Sequence, residues 1–164
     1  MKHLKLIALL FAACIASAHA ASPSPGSNAE SVKQIEQIVQ TFQTAIINKD
    51  AKTLGALFLA KDNSWLTVAS DEMYASIKKK HPDARKTMAG NYKQFVDMVG
   101  ASTKPMEEKF SNVRIDTNGS IGSVYFDFVF LDDGAVNNRG SEAWHLVKTD
   151  EGWKISSMIY SVGH

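Results

Sequence analysis

The chain is poor in cysteine: Cys14 is the only one among 164 residues. No disulfide can form within one copy, so the folded part must be held by an apolar core. Histidine is sparse too, with only His81, His145 and His164 beyond the first 20 residues, and no H-x-H or H-x-x-x-H spacing. A metal centre needs several His, Cys or carboxylate ligands converging, so no metal is expected. Loops of the G-x-G-x-x-G or G-x-x-x-x-G-K kind are missing; nucleotide-driven chemistry is therefore not expected, and no cofactor is. A G-x-S-x-G elbow is also lacking, and Cys14 is the only possible thiol nucleophile. Neither sign of charge dominates, with 18 Lys and Arg against 17 Asp and Glu, so nothing draws in nucleic acid over a long range. The densest basic run, Lys78-Lys79-Lys80-His81 with Arg85 and Lys86 nearby, has no interleaved aromatic side chains for stacking bases and reads as a solvated helix end.

Long apolar runs are confined to the start. "MKHLKLIALLFAACIASAHA" carries Lys2 and Lys5, an apolar stretch from Leu6 to about Ala16, and Ala18-His19-Ala20, the pattern of a secretory signal cleaved after a small-x-small site. This stretch is shorter than the ~20 apolar residues of a spanning helix, and no later one qualifies. The expectation is a signal peptide over 1–20 and a periplasmic or secreted protein without a membrane span. Leu10-Phe11-Ala12-Ala13-Cys14 offers an alternative, because it resembles a bacterial lipoprotein box with Cys14 as the anchored residue. Cleavage after Ala20 leaves 144 residues with 16 basic and 17 acidic side chains, a formal charge of −1. That length suits one domain. "ASPSPGS" reads as a flexible leader, so the leader is placed at 21–28 and a single domain at 29–164.

Helical periodicity comes first along the domain. Ser27-Asn28-Ala29-Glu30 fits a capping box. Val32, Ile35, Ile38, Val39, Phe42, Ala45 and Ile46 then recur at intervals of three and four and give a long helix one apolar face. Asp50 can cap a short second helix containing Leu54, Leu57 and Phe58. "SWLTVAS" (64–70) reads as a strand, and Met73, Tyr74 and Ile77 as a short helix that ends where His81-Pro82 disfavours helical geometry. Met88, Tyr92, Phe95, Val96 and Val99 predict a further helix ending near Gly100. After Pro105 the period becomes two. Segments near 106–115, 121–131, 140–148 and 153–162 are separated by "DTNG", "LDDGAVNN" and "TDEG", which are hairpin signals. Helices followed by a meander of four antiparallel strands make an α+β domain with its helices packed on one side of the sheet.

The long first helix, "NKDAKTLGALF" after it and the C-terminal "VYFDFVFLDDGAVNNRGSEAWHLVKTDEGWKISSMIYSV" together resemble the nuclear transport factor 2-like superfamily, the α+β fold shared by ketosteroid isomerase and SnoaL-like proteins. The likeness spans most of residues 29–162. Its C-terminal stretch is most similar to secreted bacterial members of the lumazine-binding type. The resemblance implies a strongly curved antiparallel sheet wrapped around the long helix (the cystatin-like cone), a pocket at the open end of the cone, and a homodimer formed through the sheet. It does not select an activity, because this scaffold hosts isomerases, dehydratases, hydrolases and proteins without chemistry. No residue matches the isomerase catalytic aspartate or its oxyanion-hole tyrosine.

Acid-base chemistry in an apolar pocket is the one kind of catalysis left open. Asp127 is the first candidate, since it interrupts "VYFDFVFL", where Val124, Phe126, Phe128 and Phe130 form one face and Tyr125, Asp127, Val129 and Leu131 the other. The competing reading has Asp127 facing water or pairing with Arg139. His145 is the second candidate, the competing reading being a neutral core histidine. Their relation depends on the turns. A three-residue turn at Asp132-Asp133-Gly134 puts Asp127 opposite Arg139 and on one face with Arg139, Ser141, Ala143 and His145; a two-residue turn at Asp133-Gly134 puts Glu142 and Trp144 there instead. At "TDEG" a bulged Gly152 places His145 opposite Ser157, and a tighter turn places it opposite Ser156. For stacking on a flat ligand the candidates are Tyr125, Trp144, Tyr160, Trp65 and Tyr92. The leading function is an exported domain that binds a small apolar or aromatic molecule. An isomerase, dehydratase or hydrolase working through Asp127 or His145 is the second reading, and a ligand-free dimerisation or interaction module the third.

Overall fold

The computed structural model describes residues 25–163. The predicted signal peptide, Cys14 and the first half of the predicted leader, like His164, lie outside the described residues. Four helices and six strands follow one another as α1 (Pro25–Asn48), α2 (Ala51–Ala56), β1 (Ser64–Ala69), α3 (Asp71–Lys80), β2 (Thr87–Ala89), α4 (Tyr92–Ala101), β3 (Met106–Thr117), β4 (Ile121–Asp132), β5 (Ala135–Thr149) and β6 (Gly152–Val162). The predicted apolar face of α1 is the buried one: Ile35, Val39, Phe42, Ala45 and Ile46 all lie in the core. Burying a side chain of the size of Phe42 stabilises the fold by about 1.5–3 kcal/mol. The helix starts at Pro25, ahead of the predicted cap, so Ser27 and Glu30 fall inside its first turns, and Glu30 accepts a hydrogen bond from Gln34 Nε2 at 3.2 Å. Asp50 caps α2 as predicted, accepting from Thr53 N at 2.9 Å.

All six strands form one sheet in the order β2-β1-β6-β5-β4-β3. The expected meander is β3 to β6. Beyond it, β1 lies parallel to β6, and β2 adds an antiparallel edge. Met88 therefore belongs to β2 and not to a helix face; Asn91 caps α4 by accepting from Lys93 N, and the helix begins only at Tyr92. A parallel strand next to the last one was invisible to a pattern of neighbouring hairpins, because its partner lies about 90 residues further along the chain.

Three irregularities bend the sheet. In β3 Asn112 (φ 55°) and Val113 together stand against Phe126, and Asn137 in β5 and Ser156 in β6 are each left without a partner; such bulges increase local twist and curvature. The turn at Asp133-Gly134 has two residues, both with positive φ (54° and 76°), as the mirror-image hairpin turn requires. The bulge that follows shifts the pairing by one, so Asp127 sits opposite Ser141. Face-sharing with Ser141, Ala143 and His145 thus holds although the turn is the shorter one. In the same way Asp150-Glu151 is a two-residue turn, and the bulge at Ser156 brings His145 opposite Ser157.

Candidate functional site

Inside the curve, Phe42, Phe110, Phe126 and Trp144 fill one end of the interior, with ring centroids 4.0–6.0 Å apart. The other end holds a cavity of about 840 Å3. Its wall is built from α1 (Phe42), β1 (Trp65, Thr67), α4 (Phe95, Met98), β3 (Met106, Glu108), β4 (Phe128, Phe130), β5 (Glu142) and β6 (Met158, Tyr160), with Lys104, Asp132, Asn137 and Asn138 also facing it. The alternation of β4 explains the aromatic part, since Phe126, Phe128 and Phe130 all point inward. Such a space suits a flat molecule of moderate size.

Two buried carboxyls interrupt this wall. Glu108 and Glu142 are 6% and 4% exposed. Strand parity places them there: Glu108 shares its face with buried Met106, and Glu142 with buried Trp144 and Leu146. Glu142 stands between Phe126 on β4 and Tyr160 on β6, and Glu108 lies opposite Phe130. The indole Nε1–H of Trp144 donates to Glu142 Oε1. Among the described residues no side chain donates to the Glu108 carboxyl, although Gln43 Nε2 donates to its backbone carbonyl at 2.9 Å and ties α1 to β3. Burial pushes the Glu142 carboxyl up to about 8, against the opposing pull of the Trp144 donor. Glu108 is raised well above the usual carboxylate range, first by burial and then by the charge of Glu142. Taking an ion out of water into an apolar wall disfavours its charged form, and a like charge nearby adds to that. A pair of largely neutral acids therefore faces the cavity near neutral pH. Among the described residues no group of three or more His, Cys, Asp or Glu is placed to hold a metal, and no helix is long and apolar enough to cross a membrane.

A family model described as the SnoaL-like domain matches residues 35–164. The chain belongs to this family. No curated protein matches it. Among solved structures it is similar to a candidate scytalone dehydratase from Novosphingobium aromaticivorans (15% identity, TM-score 0.63, covering 85% of this chain and 88% of that one). It is also similar to a candidate dehydratase of the nuclear transport factor 2-like family from Streptomyces avermitilis (19%, TM-score 0.59, 83% and 98%). A third similar structure is a nuclear transport factor 2-like protein of unknown function from Shewanella baltica (15%, TM-score 0.58, 83% and 96%). At these identities the likeness shows the fold alone.

Within this SnoaL-like domain the seven side chains singled out from sequence separate into three groups. Trp65 and Tyr160 line the cavity. Trp144 and Tyr92 pack beneath it, Trp144 fully buried and Tyr92 stacked on Phe58 at 4.7 Å. Tyr125, Asp127 and His145 lie on the outer face of the sheet, away from the cavity. Tyr125 is 41% exposed there, with the Arg114 guanidinium 4.7 Å from its ring centre. Asp127 accepts from Asn112 Nδ2 and Ser141 Oγ, both at 2.7 Å, and these bonds, with Arg114 nearby, hold its carboxyl below the usual range. It fastens the β3 bulge to β5, and Arg139 is not its partner. His145 is exposed, its Nδ1 2.8 Å from Ser157 Oγ. The physical reason is parity: an inward row of Val124, Phe126, Phe128 and Phe130 leaves Tyr125 and Asp127 no other face. Glu108 and Glu142 were missed by sequence reasoning, although "MEEKF" and "SEAWHL" carry the signal, a carboxylate two residues from a large apolar side chain that must point inward.

Proposed function

We propose that this domain binds a small apolar or aromatic molecule in its interior cavity. The observation that supports this most is the cavity itself, about 840 Å3 walled by Phe42, Trp65, Phe95, Phe128 and Tyr160. A set of flat aromatic compounds is expected to contain members that raise the melting temperature and quench the fluorescence of Trp65. A ligand at a hundred times its Kd adds ~2.7 kcal/mol, equivalent to a rise of several degrees. The quench should disappear in Trp65→Phe and persist in Asp127→Asn and His145→Ala. A diverse set without one stabilising member would end the reading. Turnover of a bound compound that depends on Glu142 would turn the binder into an acid-base catalyst, a role for which a carboxyl titrating at about 8 is suited.

The proposal places the domain in the periplasm or outside the cell after cleavage behind Ala20. Mass spectrometry of the protein exported through its own leader is expected to show Ala21 as the first residue. A lipidated chain beginning at Cys14 would overturn cleavage in favour of an anchored form.

A further inference from the structure

We propose that the cavity selects a cation: a protonated amine on a flat apolar body, with its ammonium group seated at Glu108 and Glu142. The inference rests on the binding function proposed above and names the chemical class of the ligand. Two side chains that are more than nine-tenths buried carry carboxyls into the same apolar wall. Glu142 is partly satisfied by the Trp144 indole, but among the described residues Glu108 has no donor. The Glu108 carboxyl therefore meets the cavity without a protein donor, and a ligand that brings N–H donors and a positive charge supplies one.

The surroundings favour a cation over an anion or a neutral polar group. The charged or titratable groups that face the pair across the cavity are Lys104, from the segment before β3, Asp132 on β4 and Tyr160 on β6. Lys104 is the one basic residue of the wall and is exposed, whereas both glutamates are buried. No basic side chain pairs with either glutamate among the described salt bridges. The rings of Trp65, Phe95 and Tyr160 line the same space, and an aromatic ring attracts a desolvated ammonium group placed over its face. A neutral pair of acids is the resting arrangement. When R–NH3+ enters, one carboxyl releases its proton to solvent, and the resulting carboxylate pairs with the ammonium while the second carboxyl remains a neutral donor. No other charge change is needed.

The test uses two probes with one skeleton, tryptamine as the cation and tryptophol as its neutral counterpart, on the full exported chain near neutral pH by titration calorimetry. Tryptamine is expected to bind at least about tenfold more tightly, equivalent to ~1.4 kcal/mol. Its apparent enthalpy should vary with the ionisation enthalpy of the buffer, as uptake of the released proton requires. In the double variant Glu108→Gln with Glu142→Gln, which leaves no carboxyl to ionise, the tenfold preference and the buffer dependence should vanish while tryptophol binds as before, which also shows that the variant is folded. Equal affinity for the two probes in the wild type would overturn the inference and leave the pocket reading standing. Absence of binding by both would overturn the inference as well, and the pocket reading falls with it only if the broader set of neutral aromatic compounds also fails to stabilise the protein.

Discussion

Between about pH 5 and pH 9 the folding stability of this SnoaL-like domain is expected to fall by several kcal/mol, because of Glu108 and Glu142. Both carboxyls are raised in the folded state, Glu142 from 4.5 to about 8. At any pH between these two values the folded chain holds a proton that the unfolded chain has released. Stability contributed by the neutral form is therefore fully present below about 4.5, declines as pH rises, and is lost once pH passes the folded value near 8. Each pH unit of separation corresponds to ~1.4 kcal/mol, which gives a loss on the order of 5 kcal/mol for Glu142 alone. That is comparable to the whole stability of many domains, roughly 5–15 kcal/mol. Asp50, Asp71 and Asp127 act with the opposite sign: their carboxyls are lowered by hydrogen bonds to Thr53, to Lys86, and to Asn112 and Ser141, so their contribution is lost as pH falls through the acid range. Asp50 and Asp71 are exposed and Asp127 is half-buried on the outer face of the sheet, where screening by solvent keeps their share small. Thermal melts across the series should show highest stability near pH 5 and a steep decline on the alkaline side. The double variant Glu108→Gln with Glu142→Gln should flatten that decline, since Gln keeps the shape and the acceptor for Trp144 but carries no charge. Identical melting temperatures for the wild type at pH 5 and pH 9 would mean that both groups ionise in the fold without penalty, and the neutral pair would have to be abandoned.

The same two residues mark the limit of what the sequence discloses. Wherever one periodicity and one partner decide the outcome, as in α1 or in the inward row of β4, the pattern is sufficient: Phe42 and Phe126 are buried because a three-four repeat and an alternation leave them no other place. The position of Asp127 was legible by the same rule. What lies opposite what was not. Register is set jointly by turn and bulge, and here each two-residue turn is followed by one unpaired residue, at Asn137 and at Ser156, which reverses parity along the rest of the strand. A bulge has no composition of its own. Hence Glu142 could be placed opposite Phe126 and Tyr160 only from coordinates, and the approach of Glu108 from a non-adjacent strand is a consequence of sheet curvature that no local pattern encodes. Gly140 illustrates the same dependence. A Cβ there would lie 1.9 Å from the backbone oxygen of Ser161, so glycine is required by the close approach of β6 and not by its own φ.

Trp144 joins packing to the chemistry of the wall, and its substitution is expected to have the largest effect of any single side chain. It is fully buried, with the rings of Phe42, Phe126 and Phe110 at 4.9, 5.0 and 6.0 Å. Trp144→Ala removes those contacts and leaves a void, a change that destabilises by ~3–5 kcal/mol. In a domain of this size that corresponds to a melting temperature lower by roughly 10–20 °C. Trp144→Phe separates the two roles, because most of the ring remains while the N–H that donates to Glu142 is lost. The Trp144 donor is the one contact that lowers the Glu142 titration against burial. Without it the Glu142 midpoint should rise further above 8 and the neutral acid should persist to higher pH, which a carbon-13 titration of the labelled carboxyl can follow. The stability of the Phe variant should accordingly fall more steeply on the alkaline side than that of the wild type, while near pH 5, where the neutral carboxyl does not need the indole donor, the two should differ by only ~1–2 kcal/mol. An unchanged Glu142 midpoint in Trp144→Phe would show that the indole does not hold the carboxylate. A loss below about 1 kcal/mol in Trp144→Ala would show that the ring cluster is not what closes this end of the interior.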